Sequence, residues 1–345
     1  MVRGGVNLSL TGEKLVQMFE EWAPKHLAVE GDKVGLQVGS LKRPVHKVMI
    51  TLDVLENVVD EAIENQVDFI FAHHPFLYRS LKVLNLDNEK GRIIEKLLKH
   101  NITVYAAHTN LDLANGGVND MLIEALQLKN EGMIMEVDYE KLYKLAVFVP
   151  TTHVEQVREA LGNSGAGHIG NYSHCTFQSE GTGTFKPLEG TNPYIGQQGE
   201  LEKVNEYRLE TIVPKSKLSS VLAAMEQTHP YEEVAYDLYP LEVKGERFGL
   251  GRIGRLPQPM SLKDFAQYVK EKLDVPAVRV VGNLDDTINK VGVIGGDGNK
   301  YIDQVKQCGC DVYITGDLYF HTAHDALGIG LNVIDPGHHV EKVMK

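Results

Sequence analysis

From residue 47 onward the chain alternates between short apolar runs and longer amphipathic stretches. KVMITLD (47–53) is β-branched and apolar and predicts a strand. VLENVVDEAIENQ (54–66) carries apolar residues at helical spacing and predicts a helix. A strand at VDFIFAHH (67–74), a helix at KGRIIEKLLKHN (90–101), a strand at ITVYAAHTNLD (102–112) and a helix at GVNDMLIEALQL (117–128) follow. The same rhythm returns near the end. KVGVIGGD (290–297), CDVYITGD (310–317) and LNVIDPGHH (331–339) read as strands, the last leading into a new helix. KYIDQVKQCG (300–309) and LYFHTAHDALG (318–328) read as helices. Alternation of this kind calls for a parallel sheet covered by helices.

The two segments look like diverged copies. Lys47 and Asp68 are separated by 68 − 47 = 21 positions, and Lys290 and Asp311 by 311 − 290 = 21. The third strands match as ITVYAAHTN against LNVIDPGHH, which aligns His108 with His338. Between the copies the pattern changes. LYKLAVFVP, THVEQVREALGNSG and the Gly- and Thr-rich CTFQSEGTGTFKP read as strand, helix and strand. EYRLETIVPKSKLSSVLAAMEQTHPYEEVAYDLYPLEV then reads as strand, helix and strand. That order predicts a ferredoxin-like α+β domain. The fold class expected is therefore α/β, with two similar parallel-sheet halves and an insertion. The halves occupy 1–132 and 248–345, and the insert 133–247.

Composition narrows the function. Of 345 residues, 43% are hydrophobic and 24% charged, as in an ordinary globular protein. The net charge of −12 argues against binding a nucleic-acid backbone. No apolar run approaches the roughly 20 residues that span a bilayer. MVRGGVNLSLTGEKLVQMF lacks the apolar centre and small-residue cleavage site of a signal peptide, and the expected location is the cytoplasm. Cys175, Cys308 and Cys310 contain no C-x-x-C pair and fit reduced thiols, the last two as core residues at a helix end and a strand start.

The candidate chemistry lies where strands end. In an open parallel sheet, ligands bind beyond the carboxyl ends of the strands. His73, His74, His108, Asp112, Asp317 and His338 all fall at or just past such ends, and Glu341 follows His338 by three residues. Imidazoles and carboxylates without thiolates suit Zn²⁺, Fe²⁺, Mn²⁺ or Co²⁺. Three or more histidines with two or more carboxylates suffice for two ions, and such a pair activates water as a nucleophile. Each residue has a plainer reading. A strand-end histidine such as His108 can cap a loop, and Asp112 can cap a turn beside Asn110 and Asn115. Asp317, His321 and His324 can be surface groups or can support the ligands from outside. Adjacent His73 and His74 resist the plain reading, because neighbouring strand residues face opposite sides and Pro75 must redirect them.

Five ordered motifs, AHHPFLY, AAHTNLDLANGGVND, VIGGDGNKYID, DVYITGDLYFHTAHDA and DPGHHVEK, together resemble the Nif-three-like family, whose members are named GTP cyclohydrolase 1 type 2 homologs. The resemblance covers about residues 10–130 and 249–345. It implies a toroidal homohexamer, a dimer of trimers, with a two-metal centre in each subunit. The family's ligands map onto His73, His74, Asp112, His338 and Glu341, with Zn²⁺ the first candidate. His339 is the alternative to His338, because the His–Glu spacing varies among relatives. His108 and Thr109 would line the site, His108 as a proton shuttle, with Asp317 and His321 beside it. The insert looks like the PII-like (CutA-like) domain of longer bacterial members, which caps the ring. Lys345 falls where a helix is starting, so a C-terminus running further is expected.

The activity implied is metal-dependent hydrolysis of a nucleotide or related heterocycle. In its cyclohydrolase form, water attacks C8 of GTP's guanine, and ring opening and loss of formate follow. GTGTFKPLEGT lacks the order of a P-loop, so a triphosphate would rest on scattered basic residues, and phosphoester hydrolysis is chemically as reasonable. The rival class is a non-enzymatic regulatory or sensing ring that holds metal.

Overall fold

In the computed structural model residues 10–344 are described. The chain divides into two compact units, Met1–Asp138 with Phe248–Lys345 and Tyr139–Arg247. The expected continuation past Lys345 lies outside the described residues.

The first unit begins with α1 (Gly12–Trp22), capped by the Thr11 hydroxyl, which accepts from Lys14 N. β1 (Gly35–Val38), β2 (Val48–Thr51), α2 (Glu56–Glu64), β3 (Phe69–Ala72), α3 (Glu89–Lys99) and β4 (Thr103–Ala106) follow. A short α4 (Thr109–Leu113) and α5 (Val118–Ala125) lead to β5 (Lys129–Pro150), within which the chain enters the second unit. That unit contains α6 (Val154–Asn163), β6 (Thr176–Phe185), β7 (Glu202–Pro214) and α7 (Leu218–Thr228). The chain returns within β8 (Tyr236–Ser261). The first unit is completed by α8 (Leu262–Lys272), β9 (Arg279–Val281), β10 (Thr287–Asp297), α9 (Ile302–Gln307), β11 (Val312–Gly316), α10 (Phe320–Gly328) and β12 (Asn332–Asp335). No helix among the described residues is long and apolar enough to cross a membrane.

Each half of the first unit has a parallel centre. In one, β2, β3 and β4 run parallel and β1 joins β4 antiparallel. In the other, β10, β11 and β12 run parallel, flanked by antiparallel β8 and β9. Central strands buried on both faces read as unbroken apolar runs, which is why FIFA in β3 and VYIT in β11 lack alternation. In the second unit the sheet order β6-β7-β5-β8, with antiparallel β5–β7 and β6–β7 pairs, is the ferredoxin-like arrangement.

The duplication is written in hydrogen bonds. Asp68 Oδ2 accepts from His46 N and Lys47 N, and Asp311 Oδ2 accepts from Asn289 N and Lys290 N. Lys47 Nζ donates to Asn65 O, and Lys290 Nζ to Cys308 O. In each copy an aspartate at the start of the second strand thus satisfies two backbone donors at the start of the first.

Three readings of the sequence need correction. The strand expected over 102–112 ends at Ala106, and 109–113 is helical. The turn is enforced by Asn110, a buried residue whose Nδ2 donates to Ala23 O. The third strands match differently from the expected alignment. Thr103 N donates to Asp68 O, and Asn332 N to Asp311 O, so His108 corresponds to Gly337 and His338 comes one residue later. The expected helix after β12 is a 3-10 turn, His338–Val343.

One buried charge ties the halves of the first unit together. Arg252, 1% exposed, donates to both carboxylate oxygens of Asp120 (2.8 and 2.6 Å) and to Gly249 O and Gly251 O. Removing one partner of a buried pair strands the other. Asp120→Ala is therefore expected to destabilise the protein by about 3–5 kcal/mol. The double variant Asp120→Leu/Arg252→Met should recover a large part of this. Denaturant unfolding checks it, and a double variant no more stable than Asp120→Ala would contradict it.

Candidate metal centre

The residues converge because every element that carries them ends on the same side of the first unit. His73 and His74 follow β3, His108 and Asp112 follow β4, and His338 and Glu341 lie in the turn after β12. Asp317 follows β11, with a positive φ of 52°. Gly296, at φ 62°, ends β10 beside the cluster. A Cβ there would stand 2.8 Å from Glu341 Oε1 and 3.2 Å from His338 Nε2, so only glycine leaves the room.

Each imidazole is held through Nδ1. His73 Nδ1 donates to Ala107 O (2.9 Å), His74 Nδ1 to Asp53 Oδ1 (2.8 Å) and His338 Nδ1 to Asp317 Oδ2 (2.7 Å). His108 Nδ1 donates to Asp32 at 2.9 and 3.0 Å. Carbonyl and carboxylate oxygens only accept, so Nδ1 carries the proton and Nε2 of each neutral ring presents a lone pair.

Those lone pairs meet one another and two carboxylates. His74 Nε2 lies 3.2 Å from His338 Nε2, and each lies within 3.2 Å of Glu341 Oε2. His73 Nε2 is 3.6 Å from Asp112 Oδ1 and 3.7 Å from Glu341 Oε2. His73 Nε2 and Asp112 Oδ1 are both buried, and neither has a hydrogen-bond partner among the described residues. Lone pairs facing at such distances repel unless positive charge sits between them, so the donor set fits a divalent cation. Among the described residues, ligand atoms within 4.8 Å of one another form three groups that could hold an ion: His73–Asp112–Glu341, His74–His338–Glu341 and His73–His74–His108.

Protons compete for the same place. Burial pulls the His73 pKa down, but the charges of Asp112 and Glu341 more than offset it and leave it raised to about 9. The hydrogen bond to Glu341 does the same for His338, also raised to about 9. Burial pushes Asp112 up to about 6. Glu341 is held below its ordinary value: burial opposes this, but hydrogen bonds from His338 and His74 and the charge of His73 prevail. Loading with metal must therefore displace protons.

Of the residues expected at the site, His73, His74, His108, Asp112, His338 and Glu341 meet in the cluster, and Asp317 supports His338 from behind. Thr109 is one step out, donating from N and Oγ1 to Asp32 Oδ2. His338 rather than His339 enters the cluster; His339 is exposed. His321 stands apart, exposed on α10 and edge-on to Phe320 at 5.4 Å. Two residues were not anticipated. Asp53 closes β2 as Asp317 closes β11, so the strand-end rule could have found it. Asp32 lies in the irregular stretch 29–34, where nothing periodic marks it.

The model of the Duf34/NIF3 (NGG1p interacting factor 3) family matches residues 10–345. A Bacillus subtilis protein named GTP cyclohydrolase 1 type 2 homolog is 60% identical over 98% of this chain and 90% of its own length. A Staphylococcus epidermidis protein of the same name is 38% identical over 96% of this chain and 90% of its own. Among solved structures, a Bacillus cereus protein related to NIF3 superposes with a TM-score of 0.91 at 57% identity, over 97% of this chain and 90% of that one. Two CutA structures reach a TM-score of only 0.23, so the PII-like character expected of the insert gains no support there. The chain belongs to the Duf34/NIF3 family.

Proposed function

We propose that the cluster holds two divalent ions and that the protein is a metal-dependent hydrolase of a nucleotide or related heterocycle. The observation that carries this is the pair of buried, unpartnered atoms, His73 Nε2 and Asp112 Oδ1, facing the same carboxylate as the opposed Nε2 atoms of His74 and His338. His73 and Asp112 would hold one ion, His74 and His338 the other, and Glu341, common to both groups, would bridge them. Zn²⁺ is the first choice, with Fe²⁺, Mn²⁺ and Co²⁺ compatible with the same donors. A bound pair supplies Lewis acidity and makes water a nucleophile near neutral pH. Among the described residues the carboxylate hydrogen-bonded to His108 is Asp32, which would fix its tautomer and leave Nε2 able to take or return a proton at the rim of the cluster. The name of the relatives, GTP cyclohydrolase 1 type 2 homolog, favours a purine nucleotide.

Assembly and domain roles extend the proposal. Ile50 and Val48 on β2, at one edge of its sheet, are 63% and 40% exposed, apolar surface that suits the homohexamer expected of the family. The segment 139–247 would be an inserted PII-like domain, since every cluster residue lies outside it.

Three measurements test these readings. The first is metal content by mass spectrometry after exhaustive dialysis. Asp112→Ala should lower it from about two ions per subunit to about one. Glu341→Ala should remove most of both, because two cations at close range repel without the bridging charge. Asp53→Ala should weaken only the ion at His74 and His338, by about 10–100-fold. Loss of both ions from Asp112→Ala with retention of both in Glu341→Ala would transfer the bridge to Asp112.

The second is turnover of GTP and of phosphodiesters by protein reloaded with each metal. Tight metal binding with no turnover by any form would favour a non-enzymatic regulatory or sensing ring. The third joins Asp138 to Phe248, leaving out 139–247. The shortened chain should remain folded, hexameric and metal-loaded. An insoluble or metal-free product would show that 139–247 is part of the core.

A further inference from the structure

The second unit holds a cavity of about 670 Å³, to which no residue of the metal cluster contributes. Sites for small molecules range over about 300–1,000 Å³. Its walls include Phe148, Phe185, Tyr194 and Tyr231. Tyr231 meets Phe185 edge-on at 5.6 Å between ring centroids and lies 6.5 Å from Tyr194. Glu232 accepts from Asn192 N at 3.1 Å and so fixes the loop that presents Tyr194.

One charge stands in this aromatic wall. Glu206, on β7, is 7% exposed and lines the cavity. Its Oε1 accepts from the Tyr231 hydroxyl at 3.0 Å. Its Oε2 has no hydrogen-bond partner among the described residues. The carboxylate lies against Gly183, where a Cβ would stand 2.0 Å from Oε2, so the wall is built around it. One oxygen of the carboxylate is thus left to accept from a ligand's donor. The Tyr231 hydroxyl stays a neutral donor, because burial and Glu206 together raise its pKa. The rest of the lining adds Glu189, Glu232 and Glu233 against Lys186 alone. Anions and neutral ligands would meet an acidic wall, whereas a cation finds both a carboxylate and ring faces.

We infer that this cavity binds a compact organic cation, its ammonium or amidinium head on Glu206 and its apolar body between Tyr194, Tyr231, Phe185 and Phe148. This is a second binding site, independent of the metal centre and of the reaction proposed there.

Full-length protein titrated calorimetrically with benzamidine, and with its neutral near-isostere benzamide, tests it. The benzamidinium ion should bind at least about ten-fold more tightly than benzamide, as expected when a desolvated charge pair and cation–π contact distinguish them. Glu206→Gln keeps the shape and an acceptor for Tyr231, and should abolish the preference while leaving metal content unchanged. Aromatic NMR of ¹³C-tyrosine-labelled wild-type protein needs no variant. The Tyr194 and Tyr231 signals should shift with benzamidine, at a concentration where benzamide leaves them in place. Equal binding of the two compounds, a preference that survives Glu206→Gln, or tyrosine signals that benzamidine leaves unmoved would overturn the inference.

Discussion

The first unit is organised around one buried carboxylate. Glu341 is 2% exposed, and three imidazoles converge on its Oε2. A carboxylate so deep is sustained only by positive charge close at hand. Protons on the histidines can supply it, which is why His73 and His338 are raised to about 9. Divalent ions supply more charge at the same spot, and the proposed centre exchanges one for the other. The carboxylates outside the cluster, Asp53, Asp317 and Asp32, complete the arrangement by orienting rings that would otherwise rotate.

Duplication explains how a single chain makes such a site. Neither half holds a complete set: His73, His74 and Asp112 come from the first copy, His338 and Glu341 from the second. Each copy ends its parallel strands at the same level, because Asp68 and Asp311 pin the strand starts in the same way. Facing copies then bring opposite sides of the cluster together, with a glycine at 296 keeping the space open. Arg252 and Asp120 link β8 of one copy to α5 of the other, so the two sides are fixed before any ion arrives.

Much of this was legible in the sequence because parallel strands buried on both faces leave long apolar runs, and because His73–His74 breaks such a run abruptly. The ligand candidates were found by their position at strand ends, a purely local signal. Part of what escaped was non-local. Asp32 lies 76 positions from His108, and nothing in VEGDKVG marks it as a partner. The antiparallel edge strands β1 and β9 are four and three residues long, too short for alternation to show. His321 looked like a neighbour because it shares a motif with Asp317, but a helix begins at Phe320 and carries it to the surface. The shift of His108 against Gly337 arose from matching letters where only the hydrogen-bond register decides.

His108 bears most on the choice between catalysis and storage. Two ions sharing five donors, as proposed, would leave coordination positions unfilled, whereas a structural site closes its shell. His108 is a sixth group at the cluster, and its own carboxylate partner is Asp32 rather than Glu341 or Asp112. The backbone and hydroxyl of Thr109 hold that carboxylate in turn. Asp32 is therefore kept ionised: its burial resists the charge, but His108 and Thr109 prevail and hold its pKa below the ordinary range. In the proposed reaction Asp32 would fix the nitrogen at which His108 takes a proton. An oriented proton carrier beside an incomplete shell would serve the proposed hydrolase and would be idle in a storage site.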